Sequence, residues 1–392
     1  MRRITLIGTG AALCLSAALA IGVAAARKPA APAADLPSGK VQLKSAGALA
    51  FGPNGILFVA DNVGGAVVAI DTEDRKKMGS AKINVQGVDQ KIAALVVVTP
   101  DQIMINDVKV NPISKNVYLS GSRGKGPDAM PLLVRVDPAG NVTNVSLDSA
   151  KGASVSLVDA PAESGPKDGY PTFGLSSRML TITDMAYVNG NVLVAGLSNE
   201  EWASSLRSIP YPFKDAAQGS TVQIWHASHG RYETQAPVRT FVPYTISGKE
   251  YILAAYTCTP LVKIPVTDLT PGAKVKGTTI ADLGSGSQPL DMVPYKKDGH
   301  EYILVANSSR GVMKLRADKL DSYPTIDSPT VPNPPTNIAG VPYDTLSDLK
   351  GVQHVTRLDD KDALLLIGTF TGRPAAPGPP TGPINLQTIE LP

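Results

Sequence analysis

The chain reads as an all-β protein, a single β-propeller with six blades as the leading count. Three observations predict it. Gly 36 and Pro 33 punctuate 392 residues that are only 5% aromatic, a composition that calls for many turns and favours short strands over long helices. One pattern, an apolar segment, a turn, a strand, a loop and a second strand, recurs about every sixty residues. A hairpin of that kind cannot bury its apolar face alone, whereas blades packed around an axis can. The length suffices for one large all-β domain or two smaller ones. A pair of β-sandwiches is the runner-up architecture, and seven blades is the rival count.

The first element is not part of that domain. Arg2 and Arg3 precede an apolar run from Ile4 to Ala26 that ends in Ala24-Ala25-Ala26. A charged start, an apolar stretch and small residues at −3 and −1 describe a cleavable export signal over 1–26. The run is nearly long enough to span a bilayer, so an uncleaved anchor is the alternative. Leu13 precedes Cys14 where a lipoprotein signal has a small residue, which argues against lipidation. The arginine pair leaves Sec and twin-arginine export undecided. Residues 27–39 form a Pro/Ala linker, and 40–392 form the propeller domain. The expected location is periplasmic or extracellular, with no stable membrane insertion after cleavage. Cleavage leaves Cys258 as the single cysteine, so the domain relies on its core and not on a disulfide.

Within the domain, the repeated strands begin at Leu57, Val117, Val192, Ile252, Ile303 and Leu364, at steps of 60, 75, 60, 51 and 61. No step is near double the others, so no complete blade is hidden. Pro53-Asn54-Gly55 and the VNGN segment at 188–191 are tight hairpin turns. Steps longer than a compact propeller repeat require long loops; the candidates are 148–178, 198–220 and the Pro-rich 322–345. A short helix is expected at Val88–Val97. The 29 residues from Leu364 onward and the 30 between Ala26 and Leu57 together make 59, about one period. That match predicts closure by terminal strands, with a strand near Val41–Leu43 completing the blade that holds Ile384–Leu391.

The phrases LAFGPNGILFVADNVGGAVVAID and VKVNPISKNVYLS resemble the repeats of bacterial secreted NHL/YVTN-type propellers, and more loosely the SMP-30/gluconolactonase-like group. The resemblance covers most of 45–390 through short motifs. It implies a propeller, and an axial metal site of the kind the SMP-30-like proteins carry. Such propellers include lactonases, quinoprotein-like enzymes and plain binding modules, so the fold leaves function open.

Three groups of residues are candidates for chemistry. Asp107, Asp184 and Asp291 each lie 8 to 12 positions before their blade's repeated strand, which puts all three at the start of an innermost strand; the corresponding places elsewhere fall near Gly47, Thr240 and Gly351. Carboxylates around one channel mouth suit Ca²⁺ or another hard divalent cation. Equally, each Asp can accept backbone N–H groups of the adjacent turn. His226 and His229 stand in WHASHGRYET, and Cys258 follows on a hairpin loop. Such a set suits Zn, Cu or haem iron, although a spacing of three on a strand would place the two histidines on opposite faces. Without a CxxCH motif, covalent haem is excluded. Arg123, Arg239 and Arg310 form the third group, suited to a carboxylate or phosphate group, or alternatively to salt bridges with Glu200, Glu201 or Glu233.

A net charge of +3, two of it from Arg2 and Arg3, is no nucleic-acid footprint. There is no phosphate loop or dinucleotide fingerprint, and no serine triad with local support. The leading function is therefore an exported binding module that offers a loop-rich face to a small ligand or protein partner. A metal-dependent hydrolase or lactonase using the aspartates is the alternative. A redox or metal-binding protein using His226, His229 and Cys258 is the third reading.

Overall fold

The computed structural model describes Met1 and residues 36–79, 81–163, 176–215, 218–329, 337–373 and 376–392. Residues 2–26 of the export signal and 27–35 of the linker lie outside these residues, as do 164–175, 216–217 and 330–336 of the three long loops. No helix among the described residues is long and apolar enough to cross a membrane.

Six antiparallel sheets form a six-bladed propeller, and each repeated strand read from the sequence is the second strand of a blade. We number the blades by chain order of their innermost strands. Blade 1 contains Leu49–Phe51, Ile56–Asp61, Ala66–Asp71 and Ala150–Ser156, and blade 2 contains Ile103–Val110, Val117–Arg123, Met130–Val136 and Val142–Asn144. Blade 3 runs Asp184–Val188, Asn191–Leu197, Ser204–Pro210, Ser220–His226. Blade 4 runs Val238–Ile246, Lys249–Tyr256, Pro260–Pro265, Thr278–Leu283. Blade 5 is Pro289–Lys297, His300–Asn307, Gly311–Arg316, Tyr343–Leu346, and blade 6 is Val352–Arg357, Asp362–Ile367, Asn385–Glu390, Asn84–Val85.

The hairpins between first and second strands follow from their turn residues. Asn189-Gly190, Ser247-Gly248 and Asp298-Gly299 all have positive φ at both positions, the two-residue turn whose twist matches paired strands. The helix forms at Val88–Val96 as expected, with Val88, Ile92 and Ala93 buried. All three expected loops contain strands: 148–178 carries Ala150–Ser156, 198–220 carries Ser204–Pro210, and 322–345 carries Ile338–Gly340 and the start of Tyr343–Leu346. The second reads as polar in sequence, yet its Ser204, Ser205 and Arg207 are buried. The Arg207 guanidinium is held by Asp159 at 2.6 Å and donates to the carbonyls of Thr181 and Leu197.

The blades are not arranged in chain order. Around the axis they run 2, 1, 3, 4, 5, 6 and back to 2, as the neighbouring innermost strands show. One apolar layer fills each of the six interfaces, between blades 2 and 1, 1 and 3, 3 and 4, 4 and 5, 5 and 6, and 6 and 2. Blade 1 is split: its first three strands precede blade 2 in the chain, and its fourth, Ala150–Ser156, follows it and pairs with Ala66–Asp71.

The closing strand differs from the one expected. Asn385–Glu390 pairs with Asn84–Val85, through Leu386 opposite Val85 and Gln387 opposite Asn84. Val41 instead donates its N–H to Leu147 at 2.8 Å, and Ser38–Gly39 pairs with Ala150 and Lys151 of blade 1. The reason is burial. Ile83 and Val85 lead straight into the helix, and together they fill the layer between blades 6 and 2, whereas Val41 and Leu43 only half-cover the layer between blades 1 and 2.

Candidate functional site

Strand direction places the starts of all innermost strands, the ends of the fourth strands, and the turns between second and third strands on one face. All three candidate groups lie on it, but they do not form one site.

At the axis, Asp107, Asp184, Thr240, Asp291 and His354 occupy the same register, opposite Ser120, Ala195, Ala255, Ala306 and Leu366 of their second strands. In blade 1 the place is taken by Ala48, facing Ala60. Bulges next to this position in blades 2, 4, 5 and 6 re-aim the side chains that follow. In blade 2 the bulge requires Gly121, where a Cβ would lie 1.9 Å from the Met104 carbonyl oxygen.

With the blades in their true order, the three aspartates sit on alternate blades. Each makes the same pair of contacts. Oδ1 accepts the N–H of the next residue, Val108, Met185 or Met292. Oδ2 accepts an N–H of the next blade's innermost strand: Leu49 at 2.7 Å, Phe241 at 2.9 Å and Val355 at 3.3 Å. Three carboxylates thus tie six blades together in pairs, which is the backbone-accepting role that the sequence left open, carried across a blade boundary.

Two cations share the axis. The Lys109 ammonium lies 3.2 Å from Asp107 and 3.6 Å from Asp291. Burial alone would lower its pKa, but the carboxylates of Asp107 and Asp291 hold it well above the ordinary lysine value. Arg239, at the bulge of blade 4, is pulled below its ordinary value by burial, against the fields of Asp184, Asp291 and Asp107. None of the described residues hydrogen-bonds its guanidinium. Burial pushes Asp184 up to about 6 despite Lys109. Burial would raise Asp291 too, but Lys109 and His354 hold it below the usual carboxylate range. His354 Nδ1 stands 3.4 Å from both Asp107 and Asp291. The donor atoms of Asp107, Asp291 and His354 lie within 4.8 Å of one another; Asp184 falls outside that set. His354 and Lys109 were missed from the sequence, although His354 precedes Leu364 by 10 positions, the same offset as Asp107 from Val117.

The second cluster lies further out, between blades 3 and 4. His226 ends the fourth strand of blade 3, and a single turn, Ala227–His229, closed by Gly230 at φ 64, follows. That turn brings the two imidazoles side by side, with ring centroids 3.7 Å apart. Cys258 arrives from the turn between the second and third strands of blade 4. Donor atoms of His226, His229 and Cys258 lie within 4.8 Å of one another. Glu233 accepts from both Nδ1 atoms, at 2.8 Å from His226 and 2.7 Å from His229. Thr259 Oγ1 lies 3.0 Å from His226 Nε2. Burial opposes a charged His226, yet Cys258 and Glu233 beside it push its pKa up to about 9. Glu233, which burial would raise, is brought down to about 2 by its bonds from His226 and His229.

The arginines are dispersed. Arg123 on blade 2 is half-buried, and among the described residues its guanidinium reaches only Met130 of its own hairpin, at 3.0 Å. Arg310 on blade 5 donates to the Ser285 carbonyl at 2.9 Å, and its Nη1 is buried without a partner among the described residues. Blades 2 and 4 stand on opposite sides of the ring, so Arg123 and Arg239 come from opposite blades. None of the three uses the glutamates considered for it: Glu200 takes Gln218, Glu201 takes Lys274, and Glu233 takes the histidines and Arg231.

No protein-family model matches the chain, and no curated protein does. Among solved structures, the chain is similar to a PQQ-bound aldose sugar dehydrogenase from Streptomyces coelicolor, at 10% identity over 92% of this chain and 100% of that one, with a TM-score of 0.34. It is similar to a putative oxidoreductase (glucose dehydrogenase) from Thermus thermophilus, at 12% identity over 90% and 100%, TM-score 0.30. A streptogramin B lyase matches at 8% identity over 91% and 97%, TM-score 0.28. Likenesses at this level carry no argument about ligand or reaction; the six blades are read from this chain's own sheets.

Proposed function

We propose that the chain is an exported propeller binding protein that takes a small anionic ligand, or an acidic side chain of a protein partner, on the face where the innermost strands begin. The observation that carries this reading is the contrast between Arg239 and its neighbours. Each axial aspartate has both oxygens engaged by N–H groups, while the Arg239 guanidinium stands among them with no hydrogen bond to any described residue. A guanidinium offers a planar fork of donors that fits a carboxylate or phosphate. The resemblance to secreted NHL/YVTN propellers and the sequence of residues 1–26 support export.

The rival reading, a hard-cation centre for hydrolysis, draws on Asp107, Asp291 and His354. Against it, Lys109 already stands between the two carboxylates and supplies the positive charge a cation would bring.

Calorimetric titration with small carboxylates and inorganic phosphate tests the binding reading. Saturable binding is expected in the wild type, lost in Arg239→Gln and retained in Arg123→Gln. Equal binding by all three proteins, or by none, would remove the assignment. N-terminal sequencing of the mature protein tests export, which predicts a start at Arg27; a protein still beginning at Met1 contradicts it.

A further inference from the structure

We infer that His226, His229 and Cys258 form a binding site for a borderline-soft divalent cation of the zinc class, seated between blades 3 and 4 and separate from the axis. Three donors of the types zinc prefers are already gathered, their ligand atoms within 4.8 Å of one another. Tetrahedral Zn²⁺, with bonds of about 2.0–2.3 Å, sets its ligands roughly 3.3–3.8 Å apart, so side-chain adjustments on the order of 1 Å complete the site.

A second observation points the same way. Metal-binding histidines commonly donate the ring nitrogen they do not use to a carboxylate, which sets the tautomer and the ring orientation. Glu233 does this for both rings at once, at 2.8 and 2.7 Å. A carboxylate can only accept, so both Nδ1 atoms carry the hydrogen and both Nε2 atoms are turned to the remaining task. His229 Nε2 has no hydrogen-bond partner among the described residues. His226 Nε2 faces the Thr259 hydroxyl at 3.0 Å, which can turn to another acceptor, and the Cys258 thiol beside it. Glu233 is in turn steadied by Arg231 Nε at 3.0 Å, so the supporting residue is itself held.

The strands explain why these groups meet. The His226 side chain is 1% exposed and fixed by the end of its strand, while the His229 side chain is 42% exposed. Cys258 is half-buried and free. Three protein ligands, of which His226 is buried and His229 faces solvent, leave a fourth position for water, the arrangement of a zinc site that keeps an open coordination position.

The test uses the full chain, freed of metal by dialysis against chelator. Titration with Zn²⁺ should saturate at one equivalent by elemental analysis. Co²⁺ in its place should give the visible bands of a tetrahedral site and a thiolate-to-cobalt charge-transfer band in the near ultraviolet. Cys258→Ser should abolish the charge-transfer band, and His229→Ala should weaken Zn²⁺ binding at least about tenfold. Glu233→Gln, a change at a positioning residue, should weaken it by roughly 10- to 100-fold. His300→Ala, on an exposed histidine of blade 5, should change nothing. His229 is exposed, so its variant folds and keeps the test decisive. The inference is overturned if the wild type takes up no stoichiometric metal, if the charge-transfer band survives in Cys258→Ser, or if His229→Ala binds as tightly as the wild type.

Discussion

The axial cluster and the cluster between blades 3 and 4 contain the same ingredients, carboxylates, imidazole and a cation, on the same face of the propeller, yet they spend their hydrogen-bonding capacity in opposite ways. At the axis each aspartate turns both oxygens to N–H groups, one from its own strand and one from the neighbouring blade, and Lys109 bridges two of them. Little capacity is left for a ligand except at Arg239. In the outer cluster a single carboxylate, Glu233, orients two imidazoles and leaves their other nitrogens and the Cys258 thiol close to one another. Density of charged groups therefore does not mark a functional centre. What distinguishes the two regions is whether the strong donors and acceptors are saturated by backbone or kept for something else.

That contrast can be broken at several strengths. The largest effect is expected from deleting residues 384–391. This removes the third strand of blade 6, together with the buried Ile384, Leu386 and Leu391, strips Asn84–Val85 of its partner, and leaves an unpaired edge. The truncated chain should lack a cooperative thermal transition and should aggregate; an unchanged melt would mean that the ring is not closed there.

A smaller but still large effect belongs to Asp107→Ala. It orphans the N–H groups of Leu49 and Val108 and leaves Lys109 short of a carboxylate, a loss of about 3–5 kcal/mol for a broken buried pair. Urea unfolding should show it. His229→Ala in metal-free protein should cost no more than about 1 kcal/mol, because that ring is largely exposed. Similar losses in the two variants would erase the distinction between a structural axis and an outer site.

The pH dependence of Asp184 comes next. Its folded-state pKa is raised to about 6 from 3.8, with Lys109, Arg239, Asp291 and Asp107 as the charges facing it. Between these values the folded state holds a proton that the unfolded chain releases, so this group's stabilisation is present below pH 3.8 and is lost as pH rises through 6. The stability advantage of the wild type over Asp184→Asn should be greater at pH 4 than at pH 7 by roughly 2–3 kcal/mol. A difference that does not vary with pH would show that the carboxyl is not buried as described.

The smallest effects test the quiet parts of the comparison. Arg123→Ala should shift stability by no more than about 0.5 kcal/mol. Adding Ca²⁺ to chelator-treated protein should leave the melting temperature unmoved, since Lys109 holds the axial carboxylates. A rise with Ca²⁺ that disappears in Asp107→Ala would restore the hard-cation reading, because a ligand that binds only the folded state stabilises it.

Much of the architecture was legible in the sequence, for a local reason. Alternation and turn residues act over a few positions, so the six second strands, the hairpin at 188–191 and the helix at Val88–Val96 could each be read in place. The axial register was legible as well: Asp107, Asp184 and Asp291 are set at nearly constant distances from their repeated strands, and that constancy placed them together. Ser204–Pro210 was harder to see, because Arg207 interrupts its apolar pattern and its burial is made tolerable by Asp159, 48 positions away, with the carbonyls of Thr181 and Leu197. Glu233 stood in view beside the histidines, but nothing local says that one carboxylate serves both rings.

The sequence by itself determined the repeat, the strand-and-turn chemistry of each blade and the shared register of the three axial aspartates, because those depend on neighbours along the chain. Only the tertiary structure decided the order of the blades. The exchange of blades 1 and 2, the split of blade 1 and the choice of Asn84–Val85 over Val41–Leu43 as closing strand are settled by which apolar faces bury each other best across the ring. That order turns three aspartates on blades 2, 3 and 5 into an alternating set, each reaching the next blade. The packing of blade 4 on blade 3 lets a loop of blade 4 carry Cys258 to two histidines from blade 3, a meeting that depends on packing and not on spacing along the chain.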